Sequence, residues 1–184
     1  MRKTFFVAAI LLALTFAINA QQPDKSKRPS PPGQAAVSLA DGKKIAIDYS
    51  RPKINDPKSG QPRKIFGALV PYGEVWRTGA NEATSFVTDA DLMVGSAHVP
   101  AGHYTLYSLP GENGWKLIIS RKTGQWGTPY PGDAEDLARV DMTVQRTPST
   151  VDPFTISLDK TGAKSAVLKM AWENTQASVD ITEH

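Results

Sequence analysis

The segment WRTGANE (76–82) gathers the side chains of this chain best suited to recognising a ligand. Arg77 offers a planar fork of donors for a carboxylate, a phosphate or a sugar hydroxyl. Asn81 can donate and accept together, Glu82 accepts, and Trp76 supplies a flat apolar platform. Such a set suits a polar, ring-shaped ligand such as a sugar. The competing reading is a loop locked by its own bonds, in which Arg77 pairs with Glu82 or Asp48 and Asn81 takes a left-handed turn after Gly79. Arg51 comes next, just before Pro52, where an alternating strand ends. It can point into the same cleft as Arg77, and two arginines there would favour an anion. The plainer alternative is a strand-end ion pair with Asp48 or another acid. In TGQWGTPY (123–130), Gly124 and Gly127 flank Trp126 and permit sharp turns. Trp126 and Tyr130 then either stack on a sugar face or plug the end of a sandwich.

Other chemistries find less support. His98 and His103 stand five apart across a turn, but no HExxH string occurs and no acid lies nearby, so no metal site is expected. With no cysteine there is no thiolate ligand, thiol nucleophile or disulfide. No GxSxG elbow is present. No Gly-rich phosphate loop precedes a helix, and no cofactor is expected. A hydrolase using carboxylates would draw on Asp48, Glu82 or Glu173, although no spacing singles them out. These residues favour binding over catalysis.

The elements that must position these side chains are strands. Ile45, Ile47 and Tyr49 alternate with polar or small residues, and so do Phe154, Ile156 and Leu158. The same period recurs at Val140–Val144, Leu168–Trp172 and Val179–Ile181, each with one face toward a core. Ser85–Thr88, Leu92–Val94, His103–Leu109 and Trp115–Ser120 are shorter candidates, separated by turn residues. The run Leu117-Ile118-Ile119 predicts a strand buried on both faces. Trp115 and Trp172 fall at core positions. About ten short strands predict an all-β fold: a single antiparallel β-sandwich or jelly-roll-like domain. Residues 51–84 and 121–135 are its long capping loops, expected to meet at one end of the sandwich. The first is too apolar to float free, with Asn55–Pro62 as its looser tip.

Charge narrows the partners. The 184 residues carry 21 basic and 18 acidic side chains, a formal net charge of +3. Residues 35–184 hold 16 basic and 17 acidic ones, so the folded part is close to neutral. A nucleic-acid footprint needs a basic face, and no nucleic-acid partner is expected. Arg2 and Lys3 precede an uncharged run from Phe5 to Ile18, and Ala20 closes it. This reads as a signal peptide over residues 1–20, too short to span a bilayer. The expectation is export, to the periplasm or beyond, with no transmembrane anchor left after cleavage. Residues 21–34 are Pro- and Gln-rich and read as a flexible tether. The domain is expected over 35–184.

The strings IDYSRP (47–52), RKIFGALVPYGEVWRTGANEAT (63–84), VPAGHYTLYSLPG (99–111), TGQWGTPY (123–130), DLARV (136–140) and AWE (171–173) cover nearly the whole folded part. Together they resemble a family of exported bacterial proteins defined by a domain of unknown function, number 2911. The resemblance implies an exported, mostly β domain. It carries over no activity, ligand or catalytic residue. The expected function is therefore non-catalytic binding of a small polar ligand, such as a carbohydrate, in a cleft between the two loops. Arg51, Trp76, Arg77, Asn81, Glu82, Trp126 and Tyr130 are its candidate residues. Two alternatives stand beside it: a hydrolase using carboxylates or histidine in the same cleft, and a structural or interaction protein of the cell envelope.

Overall fold

A computed structural model describes residues 24–184, so the expected leader lies outside the described residues. Nine strands follow in order: β1 (Pro32–Ser38), β2 (Lys44–Ser50), β3 (Thr84–Thr88), β4 (Leu92–Val94), β5 (Ala97–Val99), β6 (Gly102–Leu109), β7 (Trp115–Ser120), β8 (Asp136–Lys160) and β9 (Ser165–Glu183). Every pairing is antiparallel, in the order β1-β2-β3-β6-β7-β8-β9-β4-β5. Among the described residues, helix is confined to two short 3-10 turns, at Lys25–Lys27 and Asp133–Glu135. The domain is all-β, as the alternation predicts.

β8 makes the sheet fold over on itself. Its first residues, Asp136–Met142, pair with β7, and its remainder from Thr143 pairs with β9. One layer therefore holds β1, β2, β3, β6, β7 and the start of β8. The other holds the rest of β8 with β9, β4 and β5. A strand that serves two layers must bend, and β8 does so through register shifts between Arg146 and Thr155. Its partner adjusts as well. Buried positions in β9 switch from Leu168, Met170 and Trp172 to Ala177, Val179 and Ile181, changing from even to odd numbers. Between the two sets Glu173 adopts a left-handed φ of 55°. The expected short strands around 140–158 and 168–181 are thus segments of two long, bent ones.

The space between the layers is one continuous apolar cluster. Ile45, Ile47, Phe86, Leu106, Leu117 and Ile119 come from the first layer, and Phe154, Ile156, Leu168, Met170, Trp172 and Ile181 from the second. Trp115 and Trp172 are buried, as their strand positions predict. Tyr49 stitches the layers directly: its hydroxyl accepts from the Ile156 N–H at 2.9 Å.

The 51–84 connection closes one end of this cluster. Ile65, Phe66 and Val70 are buried, and Phe66 and Trp76 meet Trp115, Trp172 and Phe154 in an aromatic group. Its tip is a tight turn. The Asp56 carboxylate accepts from the backbone N–H groups of Lys58 and Ser59, both at 2.9 Å. The 121–135 connection goes elsewhere. The sequence leads one to expect it at the sandwich end, but it lies over the outer face of the first layer. There it buries Tyr107 and Ile118, which point away from the core. Ile118 is buried on this outer side while Leu117 and Ile119 face inward, which explains the unbroken apolar run.

The start of the domain also differs from the sequence reading. β1 begins at Pro32, inside the stretch expected to be a tether, and residues 25–30 lie against the domain through side-chain bonds described below. Because Phe86 is fully enclosed between the layers, Phe86→Ala is expected to lower the unfolding free energy by about 3–5 kcal/mol. Urea titration of both proteins measures this, and a loss below about 1 kcal/mol would contradict the packing.

Candidate functional site

Trp76 sets the geometry of the candidate site. Its ring stacks on Trp172 at 6.0 Å, and its Nε1–H donates to the Gly79 carbonyl at 3.0 Å. Its backbone bridges to Ser108 in both directions, at 2.8 and 2.9 Å. The ring expected as a ligand platform is therefore mostly committed to the core, because five aromatic rings need each other's apolar faces more than one needs a sugar.

The chain must then turn sharply outward. Thr78 and Asn81 both take left-handed φ values, 55° and 57°. For β-branched Thr78 this is strained, and several bonds hold it. Its hydroxyl meets the Ser108 hydroxyl at 2.6 Å, and its carbonyl accepts from Thr84 Oγ1 at 2.7 Å. Gly79, at φ 150°, leaves no room for a side chain: a Cβ there would sit 2.9 Å from the Ser50 carbonyl oxygen.

This turn displays its polar residues in separate directions. Asn81 Nδ2 donates to the Ser30 carbonyl at 3.0 Å and to Ser50 Oγ at 3.2 Å. Arg77 Nη1 donates to the Asn81 carbonyl at 3.3 Å, so Arg77 does not pair with Glu82. Arg28 takes that place, with bonds of 2.9 and 2.8 Å to the two Glu82 oxygens, and Lys25 adds a contact at 3.1 Å. Burial works against the charged form of Glu82. Hydrogen bonds from Arg28, the backbone and Lys25 outweigh it and hold the pKa down to about 2.

Arg51 goes elsewhere. Gly33 lets its side chain cross close above β1, and a Cβ at Gly33 would meet Arg51 Cδ at 2.6 Å. Its guanidinium donates to the Phe154 carbonyl at 3.3 Å and to Thr155 Oγ1 at 3.1 Å. It is a strap between layers and lines neither cleft described here. The expected pairing with Asp48 is also absent among the described residues. Asp48 instead accepts from Gln34 Nε2 at 2.8 Å.

The two long loops do adjoin. The Ala83 N–H donates to the Gln125 carbonyl at 3.2 Å. Gly127 packs on Arg77 so closely that a Cβ would lie 2.7 Å from Arg77 Cδ. Gln125 Nε2 donates to the Tyr107 hydroxyl at 2.9 Å. Tyr130 stands edge-on to the Tyr107 ring, and its hydroxyl joins Asp136 and Arg139. Burial first, then the Asp136 carboxylate, pushes the Tyr130 phenol up to about 12, so it stays a donor at neutral pH. Tyr130 is a plug. Trp126 is the exception, with 55% of its surface exposed and the Arg28 guanidinium 5.9 Å from its ring centre.

A cleft of about 300 Å³ opens beside Arg28 on the outer face of the first layer. Lys25, Arg28 and Glu82 form one wall and Thr123, Gly124 and Gln125 another. Its floor is a row of polar residues brought into register across three strands: Asp48 opposite Ser85, and Ser85 opposite Thr105. Neither the Ser85 nor the Thr105 hydroxyl bonds to another described residue, so the floor offers free donors and acceptors. A second groove, of about 670 Å³, lies at the sandwich end near Trp76 and Arg77. Among the described residues no cluster of three or more possible metal ligands occurs, and His98 has His184 as its ring neighbour at 5.0 Å.

Of the residues singled out from sequence, Glu82 lines the smaller cleft and Trp126 stands beside it. Trp76 and Arg77 line the groove, whereas Asn81 and Tyr130 hold structure together. Lys25 and Arg28 escaped notice because they lie in the Pro-rich stretch expected to be a tether. The legible signal was their charge excess beside a neutral domain.

A profile described as "Protein of unknown function (DUF2911)" matches residues 30–181. No curated protein and no solved structure matches the chain.

Two predictions follow the Glu82 contacts. The folded pKa of Glu82 is depressed, so its contribution to stability is present above the unfolded value near 4.5 and lost as pH falls toward about 2. The stability difference between wild type and Glu82→Gln is expected at neutral pH, to shrink through that window, and to fall with added salt. Hydrogen exchange at residues 25–31 is expected to quicken in Glu82→Gln; unchanged exchange would show that other bonds hold the segment. Gly127→Ala, strained at φ 105° and crowded by Arg77, is expected to cost about 1–3 kcal/mol in thermal or urea unfolding.

Proposed function

The chain belongs to the DUF2911 family of proteins of unknown function, and from that premise we propose that its domain binds a small polar ligand such as a glycan in the cleft beside Arg28. One observation carries the reading: an exposed tryptophan on a glycine-flanked loop stands beside Arg28, a wall residue of a cleft whose floor holds unengaged hydroxyls and a carboxylate. A pyranose has an apolar face for a ring to stack on and an equatorial fringe of hydroxyls for polar groups to meet. Trp126 answers the first need. Asp48, Ser85 and Thr105 answer the second, with Gln125 at the side. The Arg28 guanidinium lies over the Trp126 ring at 5.9 Å from its centre, and more than half of the Trp126 surface stays open to solvent.

The carboxylates support binding over hydrolysis. A general acid must hold a proton near its working pH. Glu82 is ionised at any ordinary pH, since its pKa is held to about 2 by two cations and the backbone. It secures the wall of the cleft. Glu173 sits at the bend of β9 and lines neither opening. That leaves Asp48 as the one carboxylate of the cleft floor.

The same reading places the protein outside the cytoplasm, supported by the basic start at Arg2-Lys3 and the uncharged run Phe5–Ile18. Among the described residues no helix is long and apolar enough to cross a membrane.

A glycan array probed with residues 21–184 is expected to yield hits among envelope or extracellular polysaccharides. Trp126→Ala is expected to weaken such binding about tenfold, with the unfolding midpoint unchanged because the ring is exposed. A broad array without a hit, or full binding by Trp126→Ala, would refute the assignment. Export has its own check: amino-terminal sequencing of protein from its native cell is expected to begin near Gln21, and recovery of intact Met1 would refute cleavage.

A further inference from the structure

The groove at the sandwich end differs in chemistry from the cleft beside Arg28. Four basic residues line it, Lys27, Lys53, Arg63 and Arg77, against a single acid, Asp56. That acid is already engaged by the N–H groups of Lys58 and Ser59, with Arg63 at 3.8 Å. Arg63 is engaged too, donating to the carbonyls of Lys53 at 2.7 Å and Ile54 at 3.2 Å. Arg77 is held as well, its Nη1 donating to the Asn81 carbonyl at 3.3 Å. Lys53 is different: its ammonium has no carboxylate within 4 Å among the described residues. Four basic side chains around one hollow, against a single acid, repel one another until an anion enters.

The walls are apolar. Leu69 is 45% exposed at the rim although its neighbour Val70 is buried, and Pro52 and Trp76 continue the surface. Trp172 also belongs to this lining, and its Nε1–H is buried without an acceptor among the described residues. A buried donor of this kind is costly until an oxygen reaches it. Positive charge without a partner, an apolar wall and an unmet donor therefore occur in one opening.

We propose that this groove is a second binding site, for an amphiphilic oxyanion: a phosphate or carboxylate carried on a compact apolar body. The oxyanion sits toward Lys53 and Arg77, the apolar body lies along Leu69 and Trp76, and an oxygen accepts from Trp172 Nε1. The site is independent of the glycan cleft, since the two openings share no lining residue.

The indole N–H resonances of the four tryptophans test it by NMR, with residues 21–184 titrated with phenyl phosphate, benzoate and inorganic phosphate. The Trp172 resonance is expected to move downfield with phenyl phosphate or benzoate at millimolar concentration, while that of Trp126 stays in place. Whichever of the two probes binds more tightly identifies phosphate or carboxylate as the charged group. Lys53→Gln, at an exposed position, and Arg77→Gln are each expected to weaken binding about tenfold. Inorganic phosphate binding as tightly as phenyl phosphate would overturn the amphiphilic assignment. A Trp172 resonance unmoved by all three probes, or full affinity in both variants, would overturn the site. The Trp126 resonance reports the other cleft, so failure here leaves the glycan reading to its own test.

Discussion

The near-parallel packing of Trp76 on Trp172, with planes 17° apart, is the contact on which most other features depend. Phe66, Trp115 and Phe154 surround the pair edge-on, and these rings come from the long connection, from β7, β8 and β9. A loop carrying Phe66 and Trp76 cannot lie in water at low free energy. Once Phe66 is buried and Trp76 is packed against the core, the loop's path is set at two points. The chain between Trp76 and β3 then has only residues 77–83 in which to leave the core, pass the end of β2 and re-enter the sheet at Thr84. Left-handed backbone at Thr78 and Asn81 is the consequence.

That sharp exit creates the two openings. Arg77 lines the groove at the sandwich end with its side chain against Gly127, while Glu82 is sent over the outer face of the first layer. Glu82 in turn recruits Lys25 and Arg28, and Asn81 recruits the Ser30 carbonyl, so the segment before β1 becomes a wall. These are part-exposed ion pairs, individually modest and screened by salt. Two oxygens held by one guanidinium give the wall direction more than strength. The opposite wall has a different origin. Tyr107 and Ile118 put apolar surface on the outer side of a strand pair, and the 121–135 loop covers it. Gln125 and Tyr130 do the covering, which leaves Trp126, between its glycines, facing solvent.

How much of this could be read from the chain depends on the range of the interaction. Flanking turn residues located Leu92–Val94 and Trp115–Ser120 to the residue, and strand position assigned Trp115 and Trp172 to the core. A strand's inside and outside are decided by neighbours two residues apart, so the pattern is local. The length of β8 and β9 was not legible, because a bent strand interrupts its own period. The change of phase at Glu173 looks like a strand end when only sequence is in view. The destination of the 121–135 loop was missed for a similar reason. Its partners Tyr107 and Ile118 belong to β6 and β7, and an apolar outward position reads as core.

The sequence by itself determined the all-β class, the family, the inward face of the clearly alternating stretches and the two segments in which unusual side chains concentrate. Side-chain character at short spacing is enough for those. Only the tertiary structure decided that Arg28 meets Glu82 across 54 positions, that Arg51 straps the layers, and that Trp76 turns inward while Trp126 stays out. Such pairings compete for the same charged and aromatic partners. Which pair forms depends on where the folded sheet carries each backbone, and no local spacing encodes that.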